Sequence, residues 1–269
     1  MKRPEIACDH MQTLFNCGGK YDCPVDADGM ALGPIVPYAG TYDFFDEIGK
    51  KSEKKYVGYA YTNFAKAEIW SHVLRHFAEN LRAKLFEGDR MLDDIDVFCG
   101  APIGGYSLAD ALGLPLSYRK IIKAEKKVLE LETATSRERS TLIFGRHDVE
   151  PGERVVIVED VCNNFSTTSG LVGQITRRGA SVVAIVCFLN RSTTVDNIFS
   201  PQMLTMASGE PYDLTHLQIP VVSLVRMPIP EFRQDDPRVA MDIARGNIVW
   251  NVKKDWDRLM QAMKDHSAE

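Results

Sequence analysis

Apolar positions recur along the chain in two periods. From 63 to 86, Phe64, Ala67, Trp70, Leu74, Phe77, Leu81 and Leu85 fall at three- and four-residue spacing, which predicts one long helix. Beyond it, short apolar runs alternate with helical segments. Strands are expected over 95–99, 154–158, 181–189 and 220–225, and helices over 106–112 and 167–178. Strands that alternate with helices imply an α/β fold with a parallel sheet and right-handed crossovers. Ligands of such sheets bind at the carboxyl ends of the strands. The loops 100–105, 159–167 and 190–193 are therefore expected to converge on one site.

Other stretches break the pattern. Residues 128–132 alternate apolar and acidic side chains, and 141–144 is a fitting partner strand. The polar segment 133–140 between them then forms the tip of a two-stranded arm, a form that often serves as a lid. Residues 1–60 read as irregular, rich in Gly and Pro. The charged run 50–55 reads as a solvated loop because acidic residues surround it. A helix around 255–263 carries Trp256, Leu259 and Met263 on one face and is expected to cover the core.

Charge and cysteine content narrow the choices. The 269 residues carry 32 Lys and Arg against 37 Asp and Glu, a net charge of −5. This balance argues against bulk electrostatic binding of nucleic acid or of an anionic membrane. The longest apolar run, 182–189, is far short of the about 20 residues of a membrane-spanning helix. No apolar stretch follows the basic residues near the start, so no secretory leader is expected, and a reducing cytoplasm is the default setting. Among the six cysteines no CxxC pair occurs, and Cys8, His10, Cys17 and Cys23 fit no standard zinc spacing. His72 and His76 lie four apart, but Val73 stands where a metalloprotease helix needs Glu, so both read as ordinary helix residues.

The segment 155–170 carries the chemistry. A buried strand ends in Glu159 and Asp160; Val161 and Cys162 follow, and then Asn163, Asn164, Phe165, Ser166, Thr167 and Thr168 open a helix. Helix N-termini present free N–H groups and partial positive charge, which suit a phosphate. Two carboxylates would instead accept hydrogen bonds from sugar hydroxyls or steady a developing cation. A phosphate on one side and hydroxyls on the other describe a ribose 5-phosphate. An N-cap alone, with Ser166 or Thr167 capping, accounts for one polar residue only.

This segment resembles the fingerprint of the type I phosphoribosyltransferases, and within them most resembles orotate phosphoribosyltransferases. The lead-in 151–155 is similar. Pro102, Ile103, Gly104 and Gly105 resemble the pyrophosphate loop, and 124–127 resembles the entry to the mobile catalytic loop. Residues 188–192 resemble the strand that ends in Asp-Arg-Ser, with Asn190 in place of Asp and with Arg191 as the residue that would contact the base. The segment 17–21, with Lys20, faintly resembles an N-terminal motif. Asn163, Asn164 and Phe165 depart from the usual Thr- and Gly-rich loop.

The resemblance implies a hood segment 1–62, a transferase core 63–230 with an arm at 124–147, and a C-terminal helical extension 231–269. It implies Mg²⁺-dependent transfer of ribose 5-phosphate from phosphoribosyl pyrophosphate to a base, orotate first, with no metal ligated directly by the chain. Glu159 and Asp160 would hold the sugar, 163–168 its phosphate, and Lys126 or Lys127 with 102–105 the leaving pyrophosphate. A homodimer is implied. The alternatives are another base, or a non-catalytic sensor of phosphoribosyl pyrophosphate.

Overall fold

The apolar runs of the sequence become a six-stranded sheet with helices on both faces. The structure is a computed structural model whose described residues are 3–45, 49, 51–87, 95–116, 119–130, 139–205 and 211–266. In chain order the elements are α1 (His10–Asn16), β1 (Lys20–Asp22), β2 (Val36–Phe45), β3 (Lys51–Gly58), β4 (Ala60–Thr62), α2 (Ala65–Glu68), α3 (Ser71–Leu85), β5 (Val97–Gly100), α4 (Gly105–Gly113), β6 (Lys120–Lys123), β7 (Glu125–Glu130), β8 (Arg139–Ile143), β9 (Arg154–Cys162), α5 (Ser166–Thr176), β10 (Ser181–Asn190), β11 (Ile198–Phe199), β12 (Leu204–Thr205), β13 (Pro211–Tyr212), β14 (Ile219–Arg226), α6 (Pro237–Ala244) and α7 (Trp256–Asp265). The main sheet runs β11-β14-β10-β9-β5-β6. All its pairings are parallel except that of the short edge strand β11.

Period-two alternation builds the core on both faces of this sheet. Val156 and Val158 of β9, Phe98 of β5 and Phe188 of β10 join Phe77 and Leu81 of α3 and Leu108 and Leu112 of α4. Their neighbours Val155, Ile157, Cys99 and Cys187 join Leu171, Val172 and Ile175 of α5. The two ends of the chain pack on each other in further clusters. Tyr21, Val36 and Tyr38 meet Val252, Trp256 and Leu259, so α7 does cover a core. Ile35 and Val57 meet Phe232, Val239 and Ile248.

Several sequence expectations need correction. The helix expected over 63–86 breaks into α2 and α3 at Trp70, which is extended (φ −102°, ψ 98°). The break shifts the helical phase so that Val73 rather than Leu74 is fully buried. The N-terminal segment is not irregular: β2 and β3 form an antiparallel hairpin, and most of the charged run lies in β3. Its charges are accommodated on the hairpin, with Lys51 on Asp43 at 2.9 Å and the Lys54 ammonium 3.5 Å from the centre of the Phe44 ring. The first arm strand begins at Glu125, three residues early, because Glu125, Lys126 and Lys127 pair with Ile143, Leu142 and Thr141. Of the expected tip, 133–138 lie outside the described residues, and Arg139 and Ser140 belong to β8.

The correction that matters most concerns β9. It continues to Cys162 because β10 pairs with it to the end, Cys187 with Glu159 and Asn190 with Cys162. The acidic pair therefore lies within the sheet, not in a loop.

Candidate active site

Strand alternation gives the two acids different surroundings. Glu159 is buried, and one of its carboxylate oxygens accepts the Asp160 amide at 3.3 Å. Burial, and then the neighbouring Asp160, push its pKa well above the ordinary carboxylate value. Asp160 is half-buried and accepts the Val161 amide at 2.8 Å. Its charge, after burial, is among the causes that push the Tyr61 hydroxyl of β4 up.

The turn before α4 is pressed onto this strand end. Ala101 donates its N–H to the Val158 carbonyl at 2.8 Å. A Cβ on Gly105 would lie 2.1 Å from that same carbonyl oxygen, and one on Gly104 would lie 2.3–2.4 Å from the Asp160 carboxyl group. Only glycine permits both approaches. Pro102 and Ile103, joined by a cis peptide, complete the turn, with Ile103 exposed.

The loop between β9 and α5 is short. Asn164 accepts the Ser166 amide through its side chain at 3.1 Å. Phe165 is the residue that caps α5, with left-handed backbone (φ 57°, ψ 19°), and neither Ser166 nor Thr167 caps the helix. The ring of Phe165 is buried against Phe199, centroids 4.9 Å apart and planes 17° from parallel. Glycine's conformation is thus kept without glycine. Ser166 is exposed, Thr167 half-buried and Thr168 buried. The first-turn amides of an α-helix lack intrahelical partners, which leaves the start of α5 suited to an oxyanion.

The end of β10 closes the third side. Arg191 donates its amide to the Cys162 carbonyl at 2.9 Å. Asn190 is fully buried; its amide group donates to the carbonyls of Val195 and Asp196 at 3.1 and 2.9 Å, and its oxygen accepts the Ser192 N–H. An Asp could not make the two donations, which gives Asn190 a structural reason. The Arg191 guanidinium does not pair with Asp196, which is held by Arg226 at 2.8 Å. It is buried, 3.7 Å from the centre of the Tyr38 ring, and bonded to Glu231 at 2.7 Å. Asn163 also donates its side-chain amide to Glu231, at 2.5 Å.

The segments that follow the adjacent strands β5, β9 and β10 thus come together, although of the loops expected over 159–167 and 190–193, residues 159–162 and 190 belong to strands. Lys126 and Lys127 are exposed on β7, which begins one residue after Ala124; Ala124 is tied to Gly100 by its N–H at 3.0 Å and to Tyr106 by its carbonyl. Lys20 lies on β1 with its ammonium on Asp22 at 2.5 Å. Glu231 escaped the sequence reading: a single Glu among prolines in Pro228–Pro230 context carries no periodic or motif signal.

No family model matches the chain. It is 29% identical over 161 residues to an orotate phosphoribosyltransferase of Archaeoglobus fulgidus, spanning 59% of this chain and 78% of that one. It is 30% identical over 107 residues to an adenine phosphoribosyltransferase of Ruminiclostridium cellulolyticum, spanning 36% of this chain and 60%, less than two thirds, of that one. A crystal structure of orotate phosphoribosyltransferase from Aeropyrum pernix aligns with TM-score 0.42 and 17% identity, over 68% of this chain and 85% of that one. The chain has an α/β fold built on a mostly parallel six-stranded sheet, and in sequence it is similar to orotate and adenine phosphoribosyltransferases. Orotate phosphoribosyltransferases are among its relatives in sequence. Among the described residues, no helix is long and apolar enough to cross a membrane.

Proposed function

We propose that the protein transfers ribose 5-phosphate from phosphoribosyl pyrophosphate to a nucleobase, orotate being the favoured base, with release of pyrophosphate. The observation that carries this reading is the junction of Asp160, Gly104 and the start of α5 at the ends of adjacent parallel strands. The helix start and the polar side chains of Asn164, Ser166 and Thr167 receive the 5-phosphate. The Asp160 carboxylate receives sugar hydroxyls and stabilises the positive charge that develops at the sugar carbon as pyrophosphate leaves. Glu159, buried beside it, accepts the Asp160 amide and fixes the backbone that presents the Asp160 side chain.

The backbone of 102–105 and Lys126 or Lys127 receive the leaving pyrophosphate. Asp160 is a half-buried hard-oxygen donor, and it is the residue here that would help to hold a Mg²⁺. When bound, that ion supplies charge neutralisation for the leaving group. The arm of β7 and β8 starts beside Ala124, which is tied to Gly100 and Tyr106, and it is the element that would exclude water from a reactive sugar cation. A homodimer in the cytoplasm is part of this reading, checked by light scattering and by localisation of the tagged chain.

The test is pyrophosphate release from phosphoribosyl pyrophosphate with Mg²⁺ across orotate, uracil, hypoxanthine, guanine, adenine, xanthine and nicotinate. Rapid release with orotate is expected. Release with another base moves the substrate, and adenine deserves its place because an adenine enzyme is among the relatives. No release with any base overturns the transferase reading. Asp160→Asn is expected to fold and to lose at least about 10²-fold in turnover, the scale of removing one preorganised electrostatic group.

A further inference from the structure

We propose that Glu231 is a specificity-determining residue: its carboxylate occupies, from within the chain, the seat of a substrate oxyanion. The inference rests on the transferase reading for the identity of the ligands, but the seat itself is visible in the contacts. One oxygen of Glu231 accepts from the Arg191 guanidinium at 2.7 Å and from the Asn163 side-chain amide at 2.5 Å. Arginine side chains in such a position are strong carboxylate and phosphate receptors because the planar fork offers several N–H groups. Here the guanidinium is fixed from above by the Tyr38 ring, and its Nε has no protein partner among the described residues.

The two donors come from two of the loops that converge on the site. Asn163 begins the β9–α5 loop, and Arg191 follows β10. Glu231 belongs to neither. It sits on the segment that leaves β14, bonded through Ile229 to the Arg191 carbonyl at 3.1 Å and through Phe232 to Val57 of the β2–β3 hairpin at 2.9 Å. The carboxylate is thus the only charge that this connecting segment sends to the two donors among the described residues. Its side chain is 20% exposed, whereas that of Arg191 is 6% exposed. An oxyanion that takes the place Glu231 holds on Arg191 must displace it.

Glu231 therefore competes with the substrate for Arg191 and Asn163, and it discriminates against any ligand whose oxyanion is too weak a competitor. Two substrate groups share this chemistry, the carboxylate of an acidic base and the phosphate of the sugar. Neutral bases do not.

Binding of orotate, ribose 5-phosphate and uracil to the full-length chain, measured by calorimetry, separates these cases. Glu231→Gln keeps the shape and an acceptor oxygen but removes the competing charge. It is expected to bind orotate or ribose 5-phosphate at least tenfold more tightly than the wild type and to leave uracil unchanged. Which ligand gains identifies the group that takes the seat. Equal affinities in both proteins for all three ligands, or a uniform change across them, would overturn the proposal and leave Glu231 a structural clamp. Glu231→Asp, with its charge drawn back by one methylene, is the second variant should the Gln form not fold, and it is expected to shift affinity in the same direction. Pyrophosphate release by the wild type is read separately. A transferase with a flat Glu231 series sinks this inference alone, and a selective Glu231 series without release sinks the transferase reading alone.

Discussion

Phe165 takes the backbone conformation of a glycine, and the ring of Phe199 holds it there. The left-handed φ of 57° costs a non-glycine residue about 1–2 kcal/mol. Burying a phenylalanine ring returns about 1.5–3 kcal/mol, so burial of the ring against Phe199 offsets the cost. The loop is thus shaped by packing beneath it rather than by freedom of its backbone.

A reversed order of two small substitutions follows. Phe165→Ala loses the ring and keeps the unfavourable φ, and a cost of about 3–5 kcal/mol is expected. Phe165→Gly loses the same ring but suits the left-handed backbone, so it is expected to be more stable than the Ala form by about 1 kcal/mol. Urea unfolding of both variants measures this difference. An Ala form more stable than the Gly form would show that the loop does not hold this conformation.

The adjacent glycines of the turn are expected to fail differently. A methyl on Gly105 meets the Val158 backbone carbonyl, which cannot move without breaking its bond to Ala101, so Gly105→Ala is expected to lose several kcal/mol of stability, about 3 or more. A methyl on Gly104 meets the end of the Asp160 side chain, which can rotate away. Gly104→Ala is therefore expected to melt within a few degrees of the wild type and to lose turnover by about 10-fold or more. Thermal melts read beside pyrophosphate release distinguish the two.

These contrasts also mark what the sequence could and could not disclose. The parallel sheet was legible because β5, β9, β10 and β14 are apolar runs of strand length separated by helices. The acidic pair was legible as a motif, but its split into a buried Glu159 and a half-buried Asp160 was not, since the end of β9 is set by pairing with β10 and pairing is not local. The break at Trp70 was hidden because the apolar spacing runs on across it. The β3 strand was hidden by its charges, which break the apolar alternation; the hairpin accommodates them by pairing Lys51 with Asp43 and by seating Lys54 over the Phe44 ring. Glu231 was beyond reach: its role comes from contacts with residues 40 and 68 positions away in the chain.

Glu159 predicts a pH dependence whose sign is fixed by its burial. Its folded pKa lies above the ordinary value of 4.5, so above that pH the folded chain binds more protons at this site than the unfolded chain does. The contribution of Glu159 to stability is fully present below about pH 4.5 and is lost as pH rises toward its folded pKa. Glu159→Gln cannot ionise and removes this slope. Relative to the wild type, the Gln form is expected to gain stability steadily from pH 4.5 upward, measured by unfolding across pH. A difference that does not vary with pH would mean that Glu159 is charged in the folded state.

The lysines of β7 separate the chemistry from the scaffold. Lys126 and Lys127 are both exposed on the ribbon, and surface substitutions of this kind usually change stability by about 0.5 kcal/mol or less. Neither adds to the sheet core, so Lys126→Ala combined with Lys127→Ala is expected to melt as the wild type does. If the ribbon brings either ammonium to the leaving pyrophosphate, the double variant loses the charge that stabilises it, and turnover is expected to fall by about 10²-fold or more. The single variants identify which lysine acts. Because the charge is needed as the bond to pyrophosphate breaks, the loss should appear in kcat more than in KM. A double variant with unchanged kcat would remove the ribbon from the reaction and leave the backbone of 102–105 to receive the leaving group.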